Sequence, residues 1–201
     1  MQAQYLLNES AALLLVDIQN DFMPGGALAV TNGDEILSPL NKLMAAFAGQ
    51  ALPIVATRDW HPADHCSFTA QGGIWPSHCV AGTSGAGFHP GIMLPKNAHI
   101  VSKAEQQFRD AYSGFDNTQL DSWLAERGIQ GLLVGGLATD YCVLHTVLDG
   151  LQAGFRVTVL TDAIRAVNLK TGDGAQAIAR MASAGAQPAT SARVLRAIPA
   201  A

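Results

Sequence analysis

Three groups of residues in this sequence have types and spacings suited to chemistry. The first is Asp59-Trp60-His61, with His65 and His78 downstream. A carboxylate and imidazoles offer oxygen and nitrogen donors that suit zinc, iron or manganese. Three protein ligands would leave positions open for a substrate. The same residues would also serve as polar loop residues that only make hydrogen bonds. Cys66 and Cys79 form no paired CxxC pattern and are not read as zinc ligands. The second group is Gly135-Gly136-Leu137-Ala138-Thr139-Asp140-Tyr141-Cys142-Val143. An apolar run enters a glycine pair, after which Thr139 or Asp140 is placed to cap a helix. Cys142 would then lie in the first turn, where the positive helix end favours a thiolate and backbone N–H groups can face an oxyanion. Its alternative is the common fate of a free cysteine, a small buried hydrophobe. The third group is Asp17 with Lys103. A carboxylate ending a buried strand needs a partner. Lys103 can supply it, and with Cys142 the set would hold base, cation and nucleophile. An internal salt bridge without catalysis is the other reading.

The elements that must carry these residues alternate along the chain. Short apolar runs at Ala12–Asp17, Pro53–Thr57, Ala98–Val101, Gly131–Gly135 and Arg156–Leu160 predict five strands. Helical periodicity covers Glu35–Ala48, Thr118–Arg127, Asp140–Ala153 and Thr171–Ala184. A last short strand near Ala186–Ala189 contains Pro188 and belongs at a sheet edge. Short apolar strands without alternation, each followed by a helix, imply a sheet covered on both faces. The expected architecture is a single α/β domain over residues 1–201, a three-layer sandwich with a mostly parallel, roughly six-stranded Rossmann-like sheet. Ligands bind such sheets at the carboxyl ends of the strands. Asp17, Asp59 and Lys103 sit just past predicted strand ends and Cys142 follows the fourth strand, so the four should converge on one rim. Lys96 precedes the third strand and would emerge at the opposite rim. The stretch Trp60–Asn97 fits no strand-helix pattern yet holds His61, His65, His78 and His89, which marks it as a functional segment.

Composition excludes several classes. Hydrophobic residues make up 49% of the 201 residues, charged residues 14%, and the net charge is -4. Such a chain is not disordered, and without a basic run it is no general nucleic-acid binder. No apolar run approaches the roughly 18 residues of a membrane span. Met1-Gln2-Ala3-Gln4 offers no basic segment ahead of an apolar run, and the three cysteines cannot all pair within the chain. A reducing, cytoplasmic setting is therefore expected. Charged residues are scarce against about 25% in ordinary domains, as they would be if part of the surface were buried in a homo-oligomer. A dinucleotide-binding oxidoreductase is disfavoured, because Asp17-Ile18-Gln19-Asn20 stands where G-x-G-x-x-G would follow the first strand.

Larger motifs extend these readings. Leu15-Val16-Asp17-Ile18-Gln19-Asn20-Asp21-Phe22 and Gly136-Leu137-Ala138-Thr139-Asp140-Tyr141-Cys142-Val143 resemble motifs of the isochorismatase-like cysteine hydrolases. Arg58-Asp59-Trp60-His61-Pro62 and Trp75-Pro76-Ser77-His78-Cys79-Val80 are similar to the nicotinamidases of that superfamily, which also deamidate pyrazinamide. The resemblance runs in order from about Ala12 to Ala189. It implies deamidation of nicotinamide through a cysteine thioester, with a triad of Asp17, Lys103 and Cys142. It implies one divalent metal ion on Asp59, His61 and His78, with His65 an additional ligand in some members. Phe22, Trp75 and Tyr112 match aromatic positions that enclose the ring. Ala138 and Cys142 match the oxyanion-hole N–H groups, and Leu137–Ala138 matches a cis peptide. The loop from Phe68 to Trp75 is shorter than in longer members, with Gln71-Gly72-Gly73 in place of an insertion, so the pocket lid should differ. Other amidases of the superfamily act on carbamoyl or ureido substrates and typically lack the metal cluster. Isochorismatase itself cleaves a vinyl ether and does not need the cysteine.

Overall fold

The computed structural model describes residues 10–197; the N-terminal residues read above for a leader lie outside them. Six parallel strands form one sheet: β1 (Ala11–Val16), β2 (Ile54–Asp59), β3 (His99–Lys103), β4 (Gly131–Leu137), β5 (Arg156–Arg165) and β6 (Gln187–Ala189). Their order across the sheet is β3-β2-β1-β4-β5-β6. All six residues of β1 are buried, because both faces of this central strand are covered. Ala11, Leu13 and Leu15 pack with α1 (Leu37–Gly49) and α5 (Ser191–Ala197). Ala12, Leu14 and Val16 pack with α2 (Leu120–Glu126), α3 (Leu144–Gln152) and α4 (Asp173–Ser183). The three-layer α/β sandwich is therefore the observed architecture. No helix among the described residues is long and apolar enough to cross a membrane.

Several boundaries differ from the sequence reading for identifiable reasons. The predicted helix at Glu35 opens as a 3-10 turn over Gly33–Ile36 and becomes α-helical at Leu37. Pro39 is tolerated there because first-turn N–H groups have no partner within the helix. β5 runs five residues beyond the expected Leu160, past a register shift opposite Val134–Gly136. Its polar Thr161 and Asp162 mask the continuation. Helix α5 carries no clear periodic signal. Its first residue is fixed instead by Asp162, which accepts from Ser191 N–H at 2.8 Å and from the Ser191 hydroxyl at 2.5 Å.

The chain order places its switch point between β1 and β4, where an α/β sheet opens a crevice at the carboxyl strand ends. The two strands approach so closely there that a Cβ on Gly136 would lie 2.0 Å from the Val16 carbonyl oxygen. With its φ of +132°, only glycine fits this position.

Candidate active site

Asp59 and Lys103 are the last residues of β2 and β3 and stand opposite each other in register; each strand runs two residues beyond the end expected from sequence, Thr57 and Val101. β1 ends at Val16, and Asp17 leaves the sheet with a φ of +50°. Left-handed residues recur beside the site: Ala104 (φ +54°) follows Lys103, and Cys79 (φ +46°) follows His78. Each such non-glycine residue costs about 1 kcal/mol or more. Such backbone outliers cluster where a site constrains the chain.

Lys103 crosses the end of β2 to reach β1. Its side chain is fully buried, with Nζ 3.0 Å from Asp17 Oδ2 and 2.5 Å from Asp59 Oδ1. Nζ also donates to the Ala111 carbonyl at 3.2 Å and to Cys142 Sγ at 3.3 Å. Sequence reasoning paired Lys103 with Asp17 and Cys142; the contact with Asp59 emerges only from the sheet order. Burial pulls the ammonium toward its neutral form, but the two carboxylates outweigh it and raise the lysine well above its ordinary value. Burial likewise raises the Asp17 carboxyl, and Lys103 offsets this only in part. Asp59 feels the same burial, yet Lys103, His61 and His78 together hold it below its usual value. The Cys142 thiol is raised well above its ordinary value by burial, with Lys103 opposing and both carboxylates reinforcing. Thr57 donates its hydroxyl to Asp17 Oδ1 at 2.6 Å. Asp17 Oδ2 is buried without a well-directed hydrogen bond, although Lys103 neutralises it at close range. The resting arrangement is a protonated thiol beside a carboxylate oxygen with accepting capacity to spare.

Asp59, His61 and His78 each bring one ligand atom within 4.8 Å of the others, and all three are buried. Nδ1 of His61 lies 3.3 Å from the Ala104 carbonyl, and Nδ1 of His78 lies 2.8 Å from the Pro76 carbonyl. Each Nδ1 therefore carries the proton and each Nε2 keeps its lone pair, as metal ligation requires. Burial lowers His61 to about 4, which keeps that ring neutral. Asp59 Oδ2 lies 3.7 Å from His61 Nε2, while its other oxygen serves Lys103. This donor set fits a divalent metal ion. His65 is fully buried and lies tilted against His61 with ring centroids 4.2 Å apart, but both of its nitrogens are committed, to Ser67 at 2.8 Å and to the Arg109 carbonyl at 3.1 Å. Phe68 lies against His61, His65 and His78 at 5.4, 5.7 and 5.5 Å and gives the cluster an apolar wall.

Cys142 stands on a π-helical turn, Thr139–Val143, that leads into α3. The expected side-chain cap is absent. Ala138 occupies the cap position, and Asp140 turns away to accept from the N–H groups of Val167 and Asn168 at 2.9 and 2.8 Å. That distant acceptor role overrides the local preference. The Leu137–Ala138 peptide is cis. Phe22, Trp75, Tyr112 and Ala138 line one cavity with Asp59, His61, His78 and Cys142. Trp75 Nε1 donates to the Tyr112 hydroxyl at 3.0 Å, which joins two separate segments over the cavity. Leu28, Ser67, Asp110, Ala111, Tyr141 and Val167 also line it, and sequence reasoning missed all six. Tyr141 alone had a signal, its place beside Cys142.

Residues 11–193 match the isochorismatase domain family. An Escherichia coli protein described as a nicotinamidase is 44% identical, over 87% of this chain and 92% of its own. The zinc-complexed pyrazinamidase structure from Pyrococcus horikoshii superposes with a TM-score of 0.86 at 44% identity, covering 90% of this chain and 99% of that one. A nicotinate-bound structure from L. infantum gives 0.87 at 34% identity, covering 94% and 96%.

Proposed function

The chain belongs to the isochorismatase family, and we infer that within it the chain is a nicotinamidase, an amidohydrolase that converts nicotinamide to nicotinate and ammonia. One observation carries this assignment. Lys103 links a buried Asp17–Cys142 pair to the Asp59/His61/His78 set, and Cys142 and that set line the same aromatic-lined cavity. Carbamoyl- and ureido-cleaving relatives would need no such metal set. The catalytic residues proposed are Asp17, Lys103 and Cys142, with Phe22, Trp75, Tyr112 and Ala138 holding the substrate. Pyrazinamide, a ring carboxamide of the same size, fits the same requirements.

Asp17 takes the thiol proton while Cys142 Sγ attacks the carboxamide carbon. Lys103 holds its charge against the forming thiolate at the 3.3 Å seen here. The N–H groups of Ala138 and Cys142 receive the oxyanion, each donor contributing about 3 kcal/mol. Asp17 returns the proton to nitrogen, the C–N bond breaks, and ammonia leaves a thioester. Asp17 then takes a proton from water as it attacks. The C–S bond breaks, the proton held by Asp17 returns to sulfur, and the acid product leaves and gives up its own proton to solvent to become nicotinate. The ion on Asp59, His61 and His78 would act as a Lewis acid toward the ring nitrogen and so orient the ring. Zinc is the proposed ion, because two neutral imidazoles and a carboxylate suit it and leave a position open. A cytoplasmic homo-oligomer acting on small neutral substrates fits the sparse charge and unpaired cysteines.

Ammonia release from nicotinamide is the deciding assay; turnover of carbamoyl or ureido compounds with none of nicotinamide would overturn the assignment. Exhaustive chelation should raise KM at least about tenfold, and added zinc should restore it. Unchanged kinetics after verified removal would discard the role of Asp59, His61 and His78. The pH profile follows from Asp17. A base whose carboxyl is raised by burial loses function as pH falls, so the acid limb of kcat/KM should lie above the ordinary aspartate value of about 3.9. No alkaline activation should appear near the usual thiol value of about 8.5, because the Cys142 proton is transferred within the complex. A profile rising through that region would contradict this proton inventory.

A further inference from the structure

We propose that Gln19 is the positioning residue of the divalent-ion site: its side-chain amide replaces a missing stretch of strand and holds Asp59 by both of its backbone groups. This rests on the assignment of Asp59 as an ion ligand. Pairing between β1 and β2 reaches Thr57, whose carbonyl accepts from Asp17 N–H at 3.2 Å. There Asp17 takes its left-handed turn and β1 leaves the sheet. Successive strand residues direct their backbone groups to opposite neighbours. Thr57 and Asp59 therefore face the β1 side, while Trp60 faces β3 and donates to the Lys103 carbonyl at 3.0 Å. The N–H and C=O of Asp59 point into the place that β1 has vacated.

Gln19 fills that place. Its Oε1 accepts from Asp59 N–H at 2.8 Å, and its Nε2 donates to the carbonyls of Asp59 at 2.8 Å and Ala86 at 2.9 Å. The amide orientation is fixed by its partners, because a backbone N–H only donates and a carbonyl only accepts. The residue is wholly buried. Its backbone also pairs with Phe88, on the segment that follows His78. One side chain thus joins the end of β1, the ligand-bearing end of β2 and the chain leading from the third ligand. Outer groups that orient metal ligands typically contribute 10- to 100-fold to ion affinity.

The test is zinc affinity, measured by competition with a chromophoric chelator on metal-free wild type, Gln19→Met, Gln19→Glu and Asp59→Ala. Thermal unfolding of each metal-free chain is recorded alongside. Methionine matches glutamine in length and makes none of the three hydrogen bonds. Glutamate keeps the acceptor for Asp59 N–H and loses the amide donors. Folded Gln19→Met should bind zinc about 10- to 100-fold more weakly, and Gln19→Glu should fall between it and wild type. Wild-type zinc affinity in folded Gln19→Met, with only a lowered unfolding midpoint, would overturn the proposal and leave Gln19 a plain packing residue. Should Gln19→Met fail to fold, unchanged affinity in Gln19→Glu has the same force. If Asp59→Ala itself binds zinc like wild type, the ion-site assignment fails instead.

Discussion

Substituting alanine for Cys142 should lower nicotinamide turnover by about 10⁴-fold or more, while the chain stays folded and keeps its zinc affinity. Cys142 brings the only thiol among the described residues lining the cavity, and single losses from a covalent catalytic unit are of this size. Little else changes on substitution. Cys142 is 5% exposed, and removing one buried sulfur costs about 1 kcal/mol in packing. Lys103 keeps Asp17, Asp59 and the Ala111 carbonyl. Asp59, His61 and His78 lose no hydrogen bond. Ammonia release and zinc titration on the same preparation check both halves. Turnover within tenfold of wild type would remove Cys142 from the nucleophile role.

Lys103→Met should be the most damaging single change to stability in the site, and it should also reduce turnover roughly 10³-fold. Methionine fills the space of the lysine stem but brings no charge. Asp17 and Asp59 would then be buried together without their cation. Breaking a buried ion pair in this way costs about 3–5 kcal/mol. The pH dependence identifies the cause. Without Lys103, both carboxyls acquire folded-state values above their unfolded ones. Folding then favours their protonated forms, so the deficit is full at neutral pH and shrinks as pH falls through those raised values. Denaturant unfolding of metal-free wild type and variant at pH 7 and pH 5 measures it. A variant within 1 kcal/mol of wild type at pH 7, or a gap that widens at pH 5, would show that Lys103 does not hold the two carboxylates together.

Much of this organisation was legible in local sequence. The run Ala12–Asp17 reads as a buried strand that ends in a carboxylate, and the strand stands one residue earlier, at Ala11–Val16, with all six side chains buried because both sheet faces are covered. Asp59, His61 and His78 read as a donor set because their chemistry is stated by their types. What escaped depends on contacts distant in sequence. The Lys103–Asp59 contact requires that β2 stand between β1 and β3, which only the strand order fixes. The cap assigned to Thr139 or Asp140 followed a sound local rule, yet Asp140 found two backbone donors 27 and 28 residues away. Val167 and Leu28 reach the cavity from loops with no pattern to mark them. Gln19 sat in plain view inside a motif, but nothing local could say that its amide would stand in for a strand.

The hydrogen bond from Trp75 to Tyr112 has an optical consequence. Of the three indoles, Trp60 lies under the Arg58 guanidinium and Trp123 is stacked against His99 and Arg127. Trp75 alone lines the cavity. An electron-poor ring entering there would meet one chromophore out of three, so the quenched fraction of the native fluorescence would report occupancy directly, with no label attached.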